Sequence, residues 1–364
     1  MLTPHMTFYK VLFVLLLSSC LLTCVTPYQP EVKSIPRAVV VEGLITDQPG
    51  PYSVNLTYTS DYTNVALNLR VSGAQVAIVD DQGRRQSLRE LGTGSGIYQT
   101  PADYRGQTGR TYRLEFTTAD GKRYQSKPEL LKAAPKIDSI YAEYSESPIP
   151  GTLAFDKGFN IYVDTRDPAT TGDYYRWRWT HYEPISICSI RQVPNSNPGV
   201  EYSYPCCSEC WDIVRCYGNA CINVATDALI NGRAISRQLI LRAPYESTSK
   251  YYVEIEQQTL SREAYNFWSR VDKLTNSNGG IFDAAPAGIQ GNVVCVSNPD
   301  EPVYGFFGAS GASLVPYTLN RGGISSTPNI RPTPPPFPPG PPPPCTVCEE
   351  SQYRTPTKPR WWVY

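Results

Sequence analysis

Cysteine is the residue type with the most varied chemistry in this chain of 364 residues. The eleven cysteines are Cys20, Cys24, Cys188, Cys206, Cys207, Cys210, Cys216, Cys221, Cys295, Cys345 and Cys348. Two CxxC pairs, Cys207 with Cys210 and Cys345 with Cys348, have the spacing that zinc sites use. An exported chain favours oxidation instead, so all cysteines from Cys188 onward are predicted disulfide candidates. A metal site and free thiols are the alternatives, and the spacing does not determine which cysteines pair.

The N-terminal segment gives the reason to expect export. Residues 9–24 read YKVLFVLLLSSCLLTC. This apolar run is shorter than the roughly 20 residues that span a bilayer, and it has the size of a signal-peptide core. Ser18 and Ser19 place small side chains directly before Cys20, as a lipoprotein signal peptidase requires. Residues 1–23 are therefore predicted to be a lipoprotein signal peptide, cut before Cys20 or Cys24, with residues 24–36 as a tether.

The choice between the two lipidation sites depends on the other cysteines. Acylation of Cys20 leaves ten further cysteines, which is an even number for pairing, whereas acylation of Cys24 leaves nine. Cys20 is the preferred site and Cys24 is the alternative. An ordinary signal peptide cut further on, or a buried strand, is the other interpretation of the segment.

Residues that commonly carry catalysis are scarce. The only histidine beyond the leader is His181, which ends an alternating run and is interpreted as structural. Asp167 and Asp173 lack the full set of calcium-loop positions, so a solvated turn is predicted there. A formal net charge of zero gives no electrostatic reason to expect a nucleic-acid partner. We predict a non-enzymatic protein without catalytic residues, metal or cofactor, and an enzyme that uses two carboxylates is the alternative.

The sharpest alternation in the sequence lies at residues 175–180. Tyr175, Trp177 and Trp179 share one face of this predicted strand, and Arg176 and Arg178 share the other. One interpretation is an aromatic core strand with a solvated arginine face. The other is an exposed aromatic platform that stacks sugar rings or docks a protein, which makes Tyr175, Trp177 and Trp179 a candidate binding face.

The composition predicts a mostly β fold. The chain has 26 tyrosines, and glycine and proline separate its short apolar runs. Runs such as Val39–Ile45, Tyr52–Tyr58 and Ala74–Asp80 predict an immunoglobulin-like or transthyretin-like β-sandwich over residues 37–134. A second β-rich domain is predicted over residues 135–330.

The second domain is predicted to carry one helix and one insertion. Ser261 can cap a helix over about residues 261–274, because Ala264, Trp268 and Val271 form one apolar stripe after it. The cysteine-rich insertion at residues 188–221 is predicted to be an irregular surface loop. Residues 331–344 are mostly proline, which predicts extended polyproline II, and residues 345–364 form a C-terminal CxxC tail.

Several segments taken together resemble a known family. They are Val39–Asp47, Gly50–Tyr52, Val71–Ala74, Asp138–Tyr141, Tyr174–Trp177, Leu260–Trp268, Gly291–Asn292 and Gly305–Ser310. Their order and spacing are similar to those of the domain-of-unknown-function family 4249, which consists of Bacteroidota lipoproteins.

The resemblance implies an outer-membrane protein held by an N-terminal acyl anchor, on the periplasmic or the cell-surface side. It also implies an accessory role beside a TonB-dependent outer-membrane receptor, and it transfers no catalytic residues. The expected partners are outer-membrane lipid and such a receptor, with no nucleic acid. The alternative function is a glycan-binding surface module that uses the aromatic face near Trp177 and Trp179.

Overall fold

Strands dominate the structure, a computed structural model that describes residues 37–59, 69–188, 191–192, 202–203, 207–276, 289–329, 347–359 and 361–362. The predicted signal peptide, the tether and the proline-rich segment lie outside the described residues. Within those residues, no helix combines the length and the apolar character needed to cross a membrane.

The described elements confirm the predicted mostly β fold with a helix. The first part of the chain forms β1 (Val39–Thr46), β2 (Ser53–Tyr58), β3 (Gln75–Asp80), β4 (Arg85–Ser87), β5 (Arg89–Glu90), β6 (Ile97–Gln99), β7 (Thr111–Thr117), β8 (Arg123–Ser126) and β9 (Glu129–Leu130). The middle forms β10 (Ile137–Pro148), β11 (Phe155–Arg166), β12 (Tyr174–Cys188), β13 (Arg191–Gln192), β14 (Tyr202–Ser203), β15 (Cys207–Arg215), β16 (Asn223–Thr226), β17 (Ala234–Pro244) and β18 (Tyr251–Leu260), with short 3₁₀ turns at Gly218–Cys221 and Asp227–Leu229. The last part forms α1 (Arg262–Thr275), β19 (Val293–Cys295), β20 (Val303–Ser310), β21 (Ala312–Leu319) and β22 (Arg354–Thr355).

The first sandwich consists of two sheets packed face to face. One sheet has the strand order β20-β1-β2-β6-β5, and the other has the order β19-β8-β7-β3-β4 with β9 beside β7. Alternate residues of these strands, among them Val41, Leu56, Ile78 and Leu114, fill the core between the sheets. The period-two pattern of β2 and β7 thus buries one face of each strand.

The first sandwich is not confined to residues 37–134, so the predicted domain boundary is wrong in this respect. Strands β19 and β20 come from the far end of the predicted second domain and complete both sheets. β20 runs parallel to β1, from Val39 opposite Val303 to Thr46 opposite Ser310. Parallel strands need a crossover connection, and here β2–β19, which include most of the second domain, form that connection.

Two glycines allow this late segment to dock. Gly305 has a φ of 87°, and a Cβ built there would lie 1.9 Å from the carbonyl oxygen of Val41. A Cβ at Gly291 would lie 1.3 Å from the carbonyl oxygen of Gly305. Backbone therefore passes backbone at both positions, at a separation that only glycine permits.

The second domain also has two main sheets, and β13 pairs with β14 in a separate two-stranded sheet. The larger has the strand order β21-β18-β12-β15-β22 with β16 beside β12, and the smaller has the order β10-β11-β17. Their shared core contains Ile161, Val163, Trp177, Val253 and Ile255. Trp177, with no exposed surface, is the largest fully buried side chain of this core.

The cysteine-rich insertion is not the irregular loop that was predicted. β12 continues to Cys188 and pairs with β15 from Thr180 opposite Arg215 to Cys188 opposite Cys207. The C-terminal tail then joins this ladder, because β22 pairs with β15 at Trp211 and Thr355. Hydrogen bonds along these ladders order this part of the insertion. The cysteine content of the sequence does not indicate them.

The helix lies where the two sandwiches meet. The predicted cap is confirmed, since Ser261 Oγ accepts a hydrogen bond from the Ala264 amide at 3.0 Å. Ala264 and Phe267 are buried and pack against Leu260 of β18 and Phe306 of β20. α1 therefore contacts the second domain, as predicted, and also the strand that completes the first sandwich.

Candidate functional site

The candidate aromatic binding face is buried for the most part, so the prediction of an exposed platform is wrong. Tyr175 and Trp177 have no exposed surface, and Trp179 is half-buried. The indole Nε1 of Trp177 donates to Gln257 Oε1 at 2.9 Å. The physical reason is that β10, β11 and β17 form a second sheet that covers this face, as the core-strand interpretation requires.

The arginine face of the same strand is only partly open to solvent. Arg176 is only 7% exposed, and Arg178 is half-buried. Both line a cavity of about 960 Å³ between β12 and β18 on one side and the β1 sheet on the other. The expected solvated face is therefore one wall of a partly open cavity, because the β1 sheet lies over it. Cavities of this volume accommodate small-molecule ligands.

The cavity walls carry polar side chains from both sandwiches. The β1 sheet contributes Glu42, Ser53, Asn55 and Gln99, the second domain contributes Arg176, Arg178, Arg215 and Glu256, and Glu129, Ser261, Trp268, Glu350 and Gln352 complete the polar and aromatic lining. Leu44, Leu91, Ile97, Leu260 and Phe306 supply apolar surface. Mixed charge and apolar area are typical of a site that orients a polar ligand.

Arg176 projects from β12 toward α1. Its Nε donates to the carbonyl oxygen of Cys221 at 2.8 Å, and its Cζ lies 3.8 Å from the ring centroid of Trp268. Burial lowers the pKa of Arg176 to about 9, and the charge of Arg178 acts in the same direction. The carboxylates of Glu256 and Glu42 act in the opposite direction. The guanidinium is therefore stacked and positioned, but its charge is poorly compensated.

Arg178 is the second unusual cation of the cavity. Its Nε is buried and has no hydrogen-bond partner among the described residues. Glu256 lies opposite Arg178 in the β12–β18 ladder, yet Glu256 Oε1 accepts from Gln258 Nε2 at 2.9 Å instead. Neither Arg176 nor Arg178 forms an ion pair within the part of the chain that the structure describes.

Glu129, on β9, is the third notable group of the lining. It is 3% exposed, and its Oε1 accepts from Asn292 Nδ2 at 3.0 Å. Its Oε2 is buried without a hydrogen-bond partner among the described residues. Burial raises the pKa of Glu129 to about 7, while the hydrogen bond from Asn292 and the nearby Ser261 hydroxyl act in the opposite direction. This carboxyl group is therefore protonated in part at neutral pH.

Asn292 positions Glu129 by bridging the end of β9 and β20. Its Nδ2 also donates to the carbonyl oxygen of Phe307 at 2.8 Å, and its Oδ1 accepts from the Phe307 amide at 3.0 Å. The side chain thus replaces a strand partner for β20 while it holds the carboxyl group of Glu129. The sequence contains no local pattern that singles out Glu129, whereas the alternation at residues 175–180 does single out the two arginines.

Three aspartates lie together near the start of β12. Asp167, Asp173 and Asp227 are all buried, and their carboxylate oxygens lie within 4.8 Å of one another. The predicted solvated turn at Asp167 and Asp173 is therefore wrong. Oxygen donors of this kind suit a hard cation such as calcium.

Hydrogen bonds within the protein already hold these three carboxylates. The donors are the Tyr175 hydroxyl and the Gly232 amide to Asp167, the Thr170 hydroxyl and Lys132 Nζ to Asp173, and the Gly172 amide to Asp227. The cluster ties the loop before β12 to the turn after β16. We assign it to the stability of the fold, since buried carboxylates persist only when they are hydrogen-bonded.

The cysteines follow the prediction in part. Cys210 is bonded to Cys348 and Cys216 to Cys221, so one disulfide takes a thiol from each CxxC pair. Cys295 was a candidate too, but it is a buried free thiol in the core of the first sandwich. The side chains of Cys188, Cys206, Cys207 and Cys345, and the lipidation candidates Cys20 and Cys24, lie outside the described residues.

His181 has the surroundings expected of a structural residue. It is 6% exposed, and its ring stacks on Tyr251 with the ring centroids 3.7 Å apart. Its Nδ1 lies 2.7 Å from the carbonyl oxygen of Tyr252, and its Nε2 lies 3.0 Å from Glu183 Oε2. These contacts connect β12 to β18 and do not involve the cavity lining.

Comparison with known proteins gives a family and no function. No curated protein matches the chain. The family model described as "Domain of unknown function (DUF4249)" matches residues 25–313, which covers most of both sandwiches, the helix and β20. The match includes the segments that carried the resemblance. The chain therefore belongs to the DUF4249 family.

Proposed function

We propose that this protein is a non-enzymatic binding protein, anchored by lipid to the outer membrane, that serves as an accessory partner of a TonB-dependent outer-membrane receptor. The cavity between the two sandwiches is the observation that carries the binding role. It is lined by charged side chains that the fold leaves without ion-pair partners among the described residues. The leader sequence supports the anchor, and the family resemblance supports the receptor.

We do not propose the alternative function, a glycan-binding module that uses the aromatic face near Trp177 and Trp179. That alternative requires Trp177 and Trp179 to be exposed and coplanar, but Trp177 is fully buried and Trp179 is half-buried. Any small ligand of this protein is expected in the cavity on the opposite face of β12.

Acylation is expected at Cys20. Mass spectrometry of the N-terminal peptide from membrane-extracted protein should find a lipid-modified Cys20. Cys20→Ala should abolish incorporation of labelled palmitate, and Cys24→Ala should leave it unchanged, because only Cys20 directly follows small residues. Lipid found on Cys24 instead would reverse the assignment, and an unmodified N-terminus would remove the anchor from the proposal.

A receptor partner is expected in native membranes. Crosslinking mass spectrometry on intact outer membranes should connect described lysines, such as Lys122 or Lys157, to a β-barrel receptor of the TonB-dependent class. The control is the Cys20→Ala and Cys24→Ala double variant, which should lose these crosslinks because it has no acyl anchor. Crosslinks confined to the protein itself, under conditions that preserve other membrane complexes, would contradict the receptor role.

A further inference from the structure

The two cavity arginines present a built site for an anion. Arg176 is held by one backbone carbonyl and one indole ring, and its terminal nitrogens make no hydrogen bond within the described residues. Arg178 makes no hydrogen bond in the same residues, although the carboxylate of Glu256 is its neighbour across the ladder. A buried guanidinium without an ion-pair contact carries a desolvation cost that a bound anion would offset. The missing partner has to be planar or tetrahedral and rich in oxygen, because such groups match the donor fork of arginine.

The opposite wall of the cavity carries side chains that accept hydrogen bonds. Glu42 Oε2 accepts from Asn55 Nδ2 at 3.2 Å, and Gln99 Nε2 donates to Ser53 Oγ at 3.1 Å. These side chains belong to β1, β2 and β6 and face the arginines across the cavity. A carboxylate and amide carbonyls accept hydrogen bonds, so a ligand on this wall must supply hydroxyl or amine donors.

We propose that the cavity binds a small hydroxylated oxyanion, of the class of sugar acids and sugar phosphates, with its anionic group on Arg176 and Arg178 and its hydroxyl groups toward Glu42, Asn55 and Gln99. This inference rests on the proposed binding function and names its ligand class. Arg176, stacked on Trp268, is the fixed anchor, and the half-buried Arg178 is the adjustable second contact. The depressed pKa of Arg176 supports the assignment, since an anion would relieve the desolvation that causes it.

The cavity also contains carboxylates that limit which anions fit. Glu256 lies on the arginine wall, and Glu129 lies beside the helix N-terminus. A strongly charged polyanion would meet both groups, whereas one carboxylate or phosphate on the arginines brings less negative charge to them. The site is therefore expected to select compact ligands with one anionic group.

Isothermal titration calorimetry on the full acylated protein in a neutral detergent tests the inference. The probes are glucuronate, glucose 6-phosphate, inorganic phosphate and glucose. Glucuronate or glucose 6-phosphate should bind, and glucose should not, because it lacks the anionic group. Comparison of the affinities of glucuronate and glucose 6-phosphate shows whether the natural anion is a carboxylate or a phosphate. Inorganic phosphate should bind more weakly than glucose 6-phosphate, because it offers fewer donors to the opposite wall.

Two variants and a control complete the experiment. Arg178→Gln should weaken the binding by about ten- to hundredfold, as expected for the loss of a charge-assisted hydrogen bond. Arg176→Gln should abolish binding. Circular dichroism of this variant checks that the protein is folded. Arg123→Gln, at an exposed position outside the cavity lining, should bind like the wild type.

Several results would overturn the inference. One is that neither glucuronate nor glucose 6-phosphate gives a heat of binding. Another is that glucose binds as tightly as these two anions. The third is that Arg178→Gln binds them with the affinity of the wild type. Receptor crosslinking is measured separately in the wild type. Intact crosslinks without anion binding would therefore overturn the ligand class alone, and anion binding without crosslinks would overturn the receptor role alone.

Discussion

Glu129→Gln is expected to remove a pH dependence that the wild-type protein shows in its free energy of unfolding. The folded state holds the carboxyl proton of Glu129 up to a pKa of about 7, whereas the unfolded chain releases it near the ordinary value of 4.5. Between these values the folded state binds more protons than the unfolded state, so wild-type stability falls as the pH rises. Above both pKa values the full loss of stability has occurred, and below both pKa values no stability has been lost.

The expected size of this effect is large for one side chain. From about pH 5 to about pH 8 the wild type should lose about 2.5 kcal/mol more stability than Glu129→Gln, at 1.36 kcal/mol per pKa unit. Urea unfolding of both proteins at the two pH values measures the difference directly. Glutamine keeps an oxygen that can accept from Asn292, so the variant should fold.

The control for this experiment is Glu143→Gln. Glu143 lies on β10, its Oε2 accepts from Arg237 at 2.9 Å, and its side chain is 45% exposed. Its replacement should leave the pH dependence of the wild type in place, because an exposed pair adds little. A wild-type protein whose stability changes with pH as that of Glu129→Gln does would show that the carboxyl group of Glu129 ionises normally.

Trp177→Phe is expected to destabilise the protein by about 3 kcal/mol, and Trp179→Phe by less than about 1 kcal/mol. Phenylalanine at position 177 removes the indole N–H that donates to Gln257 Oε1. It also leaves a space in the core, because the larger side chain of Trp177 is fully buried there. The indole Nε1 of Trp179 has no partner among the described residues, so its removal costs no hydrogen bond. Two tryptophans two positions apart thus serve as test and control.

Equilibrium unfolding in urea at constant pH measures both variants. A Trp177→Phe protein that fails to fold, while Trp179→Phe folds, also agrees with the prediction. Equal costs at the two positions would contradict the burial of Trp177. They would reopen the interpretation of residues 175–179 as an exposed face.

Local patterns predicted the elements well because each element has its own signal. Alternation at Tyr52–Tyr58 gave β2, and Ser261 with the stripe after it gave α1. The same patterns cannot name the partner of a strand. Nothing near Val303–Ser310 indicates that it pairs with Val39–Thr46, because period two reports which face is buried and not what covers it.

The cavity could be predicted only in part for the same reason. Arg176 and Arg178 were placed together on one face, which is correct, but the sequence could not show that the β1 sheet lies over that face. The sequence around Glu129 has no pattern that marks it, because the burial that raises its pKa arises only when the folded chain packs around it. Likewise the bond between Cys210 and Cys348 joins two CxxC pairs that the sequence leaves open to several pairings.

The parallel ladder between β1 and β20 has a consequence for how the chain folds. β1 is made early, but its parallel neighbour follows only after most of the second domain, from β10 to α1, has been synthesised. Until then one edge of β1 presents unpaired amide and carbonyl groups, and such edges recruit other strands. Contacts this distant in sequence also form slowly, because loop closure precedes the gain from pairing. The N-terminal sandwich therefore closes only after most of the second domain has emerged, although its first strands are made first. Nascent or truncated chains that end before residue 310 retain an aggregation-prone edge.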